Sequence, residues 1–314
     1  MQDTMQDTAS RRQFLKRSGL ALAGWGLAAG PLAAIEPFTR SGQPRFALSL
    51  AAYSFRDYFG AGKSDATSSP PAKRLDMFQF VDYCAEQGCQ GAEVTSYYFP
   101  KDAGDDYFLR LRRHAFLRGI ALSGTAVGNE FTQADAEKQQ AQIASVKAWV
   151  DRAAVMGAPH IRIFAGNVRG SSPQETRKRC IHAIEECAEY AGKRGILLGL
   201  ENHGGIVAEA DELLDIVRAV NSPWFGVNLD TGNFHSDDPY GDLARCAPYA
   251  VNVQFKVEIQ KRGQPKQPAD LARVVKLLRE AHYQGYVALE YEAAPDPWQE
   301  VPIILQRMKQ ALAS

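Results

Sequence analysis

Glu201, Asp230, Gln254 and Glu290 stand along the second half of the chain at intervals of roughly one strand–helix unit, about 30 residues. Each lies toward the end of a run that alternates apolar and polar side chains. In ILLGLENHGG (196–205), Leu197, Gly199, Glu201 and His203 fall on one face of a strand, and Ile196, Leu198, Leu200 and Asn202 on the other. The same division runs through 225–230 (Gly226, Asn228, Asp230 against Phe225, Val227, Leu229) and 251–258 (Asn252, Gln254, Lys256, Glu258 against Val251, Val253, Phe255, Val257). It recurs in 287–292, where Ala288, Glu290 and Glu292 oppose Val287, Leu289 and Tyr291. Strands of a parallel sheet covered on both faces should be apolar on both, so four polar faces imply one shared hydrophilic interior. Three carboxylates cannot all stay ionised in a dry pocket unless shared protons or a cation relieve their repulsion. One divalent metal held by Glu201, Asp230, Gln254 and Glu290 is the economical solution; all-oxygen ligation favours Mn2+ or Mg2+, with Co2+ or Zn2+ as alternatives. Gln254 could instead satisfy neighbouring polar groups with no metal present.

These residues need strands that end together. Further strands read at 45–53, 90–95, 120–126 and 159–164, the last with His160, Arg162 and Phe164 on one side. Helices read at 73–87, 106–118, 133–156, 173–193, 208–220, 240–246, 270–281 and 298–312. Gly88 stops the first of these, Pro173 suits a first helical turn, and 57–71, rich in Gly, Ser and Pro, is a loop. Eight strands alternating with helices across 45–314, with no dividing linker, predict a single (β/α)8 barrel, whose reacting groups sit at the C-terminal strand ends. The competitor, an open doubly wound sheet, lacks a GxGxxG after any strand.

The 314 residues are 45% hydrophobic and 23% charged, ordinary for a globular protein, and their formal net charge is zero. That balance argues against nucleic acid or an anionic membrane surface as partner. Ser10-Arg11-Arg12-Gln13-Phe14-Leu15-Lys16, then a weakly apolar run over 19–29 and Leu32-Ala33-Ala34, resemble a twin-arginine export signal. The expected organisation is a signal peptide at 1–34, a linker at 35–44 and the barrel at 45–314, with the folded protein exported to the periplasm. The apolar run falls short of the roughly 20 residues a membrane span needs, so no span is expected in the mature chain. Cys84, Cys89, Cys180, Cys187 and Cys246 form no close CxxC pair, hence neither a metal knuckle nor an obvious disulfide frame. Cys180 and Cys187 share the buried face of a helix; a Cys84–Cys89 bridge is allowed by an oxidising compartment and by nothing else.

Together LGLENHGG, GVNLDTGNF, VNVQFKVE and YVALEYE resemble the xylose-isomerase-like barrels, which include sugar epimerases such as tagatose epimerase and sugar-phosphate isomerase/epimerase homologues. The resemblance spans 45–314. It implies that Glu201, Asp230 and Glu290 are metal-binding carboxylates and that Glu201 and Glu290 move a proton at a carbon beside a carbonyl, while the metal holds the sugar's oxygens. Lys256 and His203 would donate to sugar oxygens, with Glu93 and Arg162 further off and Tyr53 or Trp298 offering a ring to a sugar face. Arg162 reads equally as an interior partner of Glu201 or Glu93, and Lys256 as half of an ion pair with Glu258 or Glu290. Two positions depart from the pattern. Gln254 stands where the family commonly has a histidine ligand, and Asn233, with His235 two further on, where the epimerases often have another.

The leading expectation is thus a metal-dependent isomerase or epimerase of an unphosphorylated sugar, since no glycine-rich phosphate cradle follows the late strands, with a homo-oligomer allowed. A keto-glycoside lyase or hydrolase using the same proton chemistry, and a non-catalytic sugar-binding barrel, are the alternatives. An apurinic-site endonuclease on the same barrel would need a histidine-rich zinc cluster and a basic face, and six histidines with zero net charge supply neither.

Overall fold

The computed structural model describes residues 35–60, 74–168 and 170–313. The proposed export signal and residues 61–73 of the loop after the first strand lie outside them. Eight strands, all parallel to their neighbours, close into a barrel: β1 (Arg45–Ala51), β2 (Gly91–Thr95), β3 (Ala121–Ala126), β4 (His160–Ile163), β5 (Leu197–Glu201), β6 (Phe225–Asp230), β7 (Ala250–Phe255) and β10 (Gln284–Leu289). Between β7 and β10 a small antiparallel ribbon pairs β8 (Glu258–Ile259) with β9 (Gln267–Pro268). Round the barrel the order is β1-β10-β7-β6-β5-β4-β3-β2, so each strand of the second half lies beside its sequence neighbour in the barrel.

The helices are α1 (Met77–Glu86), α2 (Asp105–Leu117), α3 (Ala136–Met156), α4 (Pro173–Gly192), α5 (Ala210–Ala219), α6 (Pro239–Cys246), α7 (Leu271–Glu280) and α8 (Pro297–Ala313). Their starts follow capping chemistry. Asp76 and Gln79 form a reciprocal box, as do Ser172 and Glu175 ahead of Pro173, and Asp135 accepts from Lys138 N–H. The first helix therefore begins at Met77 rather than at 73. Along α4 the buried positions Thr176, Cys180, Ala183, Ile184, Cys187, Ala188 and Ala191 form one stripe that packs on the barrel wall. All five cysteines are buried free thiols, including Cys84 and Cys89.

Residues 35–44, read as a linker, lie against the N-terminal end of the barrel. Ile35 and Phe38 donate through their backbone to the carbonyls of Arg218 and Pro248, and Arg40 bonds the carbonyl of Ala250 with its guanidinium over the rings of Phe38 and Tyr283. The C-terminal strand ends differ from the sequence reading in one respect that matters. β7 stops at Phe255 and β10 at Leu289, so Lys256, Glu290 and Glu292 lie just beyond the ladder. There the backbone turns to local partners: Lys256 N–H donates to Thr231 Oγ1 at 2.9 Å and Tyr291 N–H to Ser54 Oγ at 2.9 Å.

Candidate active site

The polar parity of the late strands points inward. Glu93 on β2, Asn228 on β6, and Asn252 and Gln254 on β7 meet across the interior and form a closed hydrogen-bond ring. Asn252 Nδ2 donates to Glu93 Oε2 and to Asn228 Oδ1, both at 2.8 Å; Asn228 Nδ2 donates to Gln254 Oε1 at 2.6 Å; Gln254 Nε2 donates to Glu93 Oε1 at 2.6 Å. Glu93 is only 1% exposed and can only accept when ionised, so it sets the direction of every amide in the ring. Glu93, expected beside substrate, lies instead in this supporting layer with both oxygens engaged. Asn228 and Asn252 were visible in the sequence as inward polar positions but not as site residues.

Above the ring sits the carboxylate cluster. Glu201 is 3% exposed, Asp230 0% and Glu290 7%. Buried carboxylates are sustained only by partners, and here the partners come from the chain. Arg162 Nε lies 2.9 Å from Glu201 Oε2, while Asn233 Nδ2 donates to Glu201 Oε1 at 3.0 Å. Of the two pairings open to Arg162, the structure selects Glu201; its guanidinium also lies over the Phe164 ring at 3.9 Å and donates to Val127 O at 2.9 Å. Lys256 Nζ lies 2.5 Å from Glu290 Oε1 and 3.4 Å from Asp230 Oδ2, and also bonds Glu292. Glu258 pairs with Lys266 instead, within the ribbon. Asn202 holds Asp230 in place by exchanging two 2.9 Å bonds with its backbone.

Burial dominates the acidities. It pushes Asp230 up to about 8 although Lys256 pulls down, and Glu201 up to about 7 although Arg162 pulls down. Glu93 is raised to about 7 by burial and by Glu290, with the amide hydrogen bonds opposing. Raised into this range, the carboxyls of Glu201 and Asp230 can both take and give a proton near neutral pH. Lys256 goes the other way: burial disfavours its charge, but Asp230, Glu290 and Glu292 hold it well above the ordinary lysine value.

The expectation of a divalent ion among Glu201, Asp230, Gln254 and Glu290 does not fit this donor set. The Gln254 oxygen is committed to Asn228, and its nitrogen, which cannot ligate, faces Glu290 Oε2 at 2.9 Å. Lys256 stands among the oxygens of Asp230 and Glu290. Among the described residues no three or more His, Cys, Asp or Glu side chains are arranged to hold one metal ion.

Beside the cluster a cavity of about 130 Å3 is lined by Gly232, Asn233, His235, Lys256, Glu258 and Glu292. Exposed His235 lies on its wall. His203 lies at the mouth with its ring 4.5 Å from that of Phe164, and partial burial of the imidazole and the nearby Arg162 charge lower its pKa. Tyr53, half-buried on the turn after β1, is kept as a neutral phenol by burial and by Glu292. Trp298 packs among Phe55, Tyr58 and Tyr83 on the outer wall, in an aromatic cluster rather than in this cavity. Two larger grooves, of about 670 and 690 Å3, lie on the outer helices, and their walls contain none of the cluster residues.

No curated protein matches the chain. Among solved structures it is similar to a D-psicose 3-epimerase in the presence of D-fructose (18% identity, TM-score 0.66, 85% of this chain and 97% of that one). It is also similar to 3-keto-D-glucoside 4-epimerase from E. coli (14%, 0.65, 85% and 100%) and to a xylose isomerase domain protein from Planctomyces limnophilus (17%, 0.63, 87% and 99%). At such identities the likeness is one of fold. Residues 81–308 match the family described as xylose isomerase-like TIM barrel, and with the closed eight-stranded barrel this places the chain in that family.

Proposed function

We propose that this barrel is an isomerase or epimerase that moves a proton at a carbon beside the carbonyl of an unphosphorylated sugar. The observation that carries the reading is the pair Glu201 and Glu290. They sit at the C-terminal ends of β5 and β10, three strand positions apart round the barrel, and each is bonded to a residue that lines the polar cavity, Glu201 to Asn233 and Glu290 to Lys256. One carboxylate takes the α-proton from one face of the sugar, and the other, carrying a proton, returns it to the opposite face or to the adjacent carbon. A carboxyl raised to about 7, as Glu201 is, exchanges protons readily at neutral pH. On this reading His203, Asn233 and Tyr53 bond sugar hydroxyls. Two of the similar structures are named as epimerases at a carbon next to a keto group, which supports the same chemistry.

The test is deuterium incorporation from D2O into a panel of keto- and aldo-sugars and keto-glycosides. Glu201→Gln and Glu290→Gln should each slow exchange by about 10²- to 10⁴-fold with ligand binding retained. Exchange undiminished in both variants would refute the assignment, and a released aglycone without isomerised sugar would establish elimination instead. The periplasm remains our proposed address, to be checked by fractionating cells that express the intact and the Arg11→Lys/Arg12→Lys chains.

A further inference from the structure

In the carboxylate cluster a cation is already supplied by the polypeptide, and the local chain is shaped to deliver it. β7 ends at Phe255, which releases Lys256 from the ladder, and its backbone N–H is taken by Thr231 Oγ1. Its stem runs over Gly232, where a Cβ would fall 2.7 Å from both Cβ and Cγ of the lysine. The Nζ then sits 2.5 Å from Glu290 Oε1 and 3.4 Å from Asp230 Oδ2, with Glu292 as a third partner. A divalent ion on those oxygens would stand about 2.0–2.6 Å from them, in contact with the same ammonium. Two buried cations cannot share that space without strong repulsion. Gln254 closes the other approach, because its amide nitrogen faces Glu290 and is held there by Glu93.

We infer that Lys256 is the resident cation of this site: the barrel uses no divalent metal between Asp230 and Glu290, and the Lys256 ammonium itself receives the substrate's carbonyl oxygen. The second half rests on the proton-transfer reading above, whereas the exclusion of metal stands without it. In the step, Glu201 or Glu290 takes the α-proton. The C–H pair becomes the carbon–carbon double bond, and the carbonyl π pair moves onto oxygen, which the ammonium hydrogen-bonds through the N–H that exposed Glu292 gives up. A proton delivered from the other carboxyl re-forms a C–H bond and the carbonyl. Lys256 stays protonated throughout and gives a hydrogen bond. It forms no Schiff base, because a lysine held among three carboxylates has no free lone pair.

The probe is manganese ion, titrated calorimetrically into the purified full chain, alongside elemental analysis of the protein as isolated. Wild type should carry no stoichiometric metal and give no binding isotherm, and chelator should leave sugar proton exchange unchanged. Lys256→Met, with folding checked by circular dichroism, should lose exchange and bind manganese at least about tenfold more tightly than wild type, because the adjacent charge is gone. One tightly held metal per wild-type chain, or exchange abolished by chelator and restored by manganese, would overturn the proposal. The wild-type measurements decide it even if the variant does not fold. Absence of exchange with every sugar would overturn the reaction reading and the role of Lys256 in it, while the titration would still decide the metal question.

Discussion

Replacing Gln254 by its isostere glutamate tests the amide ring directly. In Gln254→Glu the shape is kept, but the group that donates to Glu93 at 2.6 Å and Glu290 at 2.9 Å becomes a third carboxyl in a fully buried layer. To replace either bond it must hold a proton. Glu93, in the same layer, is already raised from 4.5 to about 7 by burial and by Glu290. A carboxyl at 254, facing two others, should be raised at least as far. Between pH 4.5 and 7 the folded variant then binds a proton that the unfolded chain has released, so its stability falls as pH rises through that window. At about 1.4 kcal/mol per pKa unit the loss relative to wild type is about 3 kcal/mol. For a domain of this size that is a thermal midpoint gap wider by roughly 6–12 °C at pH 8 than at pH 4.5. Paired melting curves at the two pH values measure it. A gap that stays constant with pH would show that residue 254 does not face the carboxylates, or that a bound cation screens them, and either result refutes the arrangement described above.

Arg162→Met leaves Glu201 buried with Asn233 as its remaining partner, which should cost about 3–5 kcal/mol of stability. Because Arg162 pulls the Glu201 pKa down, its loss should also move the limb of the pH–rate profile that Glu201 controls to higher pH. Gly232→Ala puts a methyl 2.7 Å from the Lys256 stem, so exchange should fall by about tenfold or more with a midpoint change of only a few degrees, roughly 1 kcal/mol. His160, buried beneath the ring with neither nitrogen in a well-formed hydrogen bond, is lowered from 6.5 to about 4, chiefly by burial. Its contribution to stability is complete above pH 6.5 and lost as pH falls through 4, so wild type should lose about 3 kcal/mol relative to His160→Gln between pH 7 and pH 3.5, measured by denaturant titration.

The architecture was legible because its signals are local. Period-two runs, boundary residues such as Gly88 and Pro173, and the return of polar residues to one parity on four late strands state the barrel and its polar mouth within a few residues of chain. Inward orientation of Glu201, Asp230 and Gln254 followed from that parity alone. What could not be read is which polar group answers which. Gln254 meets Glu93 across 161 positions of sequence and Asn252 meets it across 159, and no local pattern encodes such pairs. Arg162 had two candidate partners until β4 and β5 were paired in register. Trp298 looked free to face a sugar until Phe55, Tyr58 and Tyr83 enclosed it.

Amino-acid order by itself therefore determined the alternating elements, the end of the barrel where charge collects, and the identity of the acidic groups gathered there. Only the closed barrel decided which basic groups stand among those acids, Arg162 beside Glu201 and Lys256 beside Asp230 and Glu290. Net pairing depends on where long side chains end, and that is settled by strand register, by the strand end at Phe255, and by the glycine over which Lys256 passes.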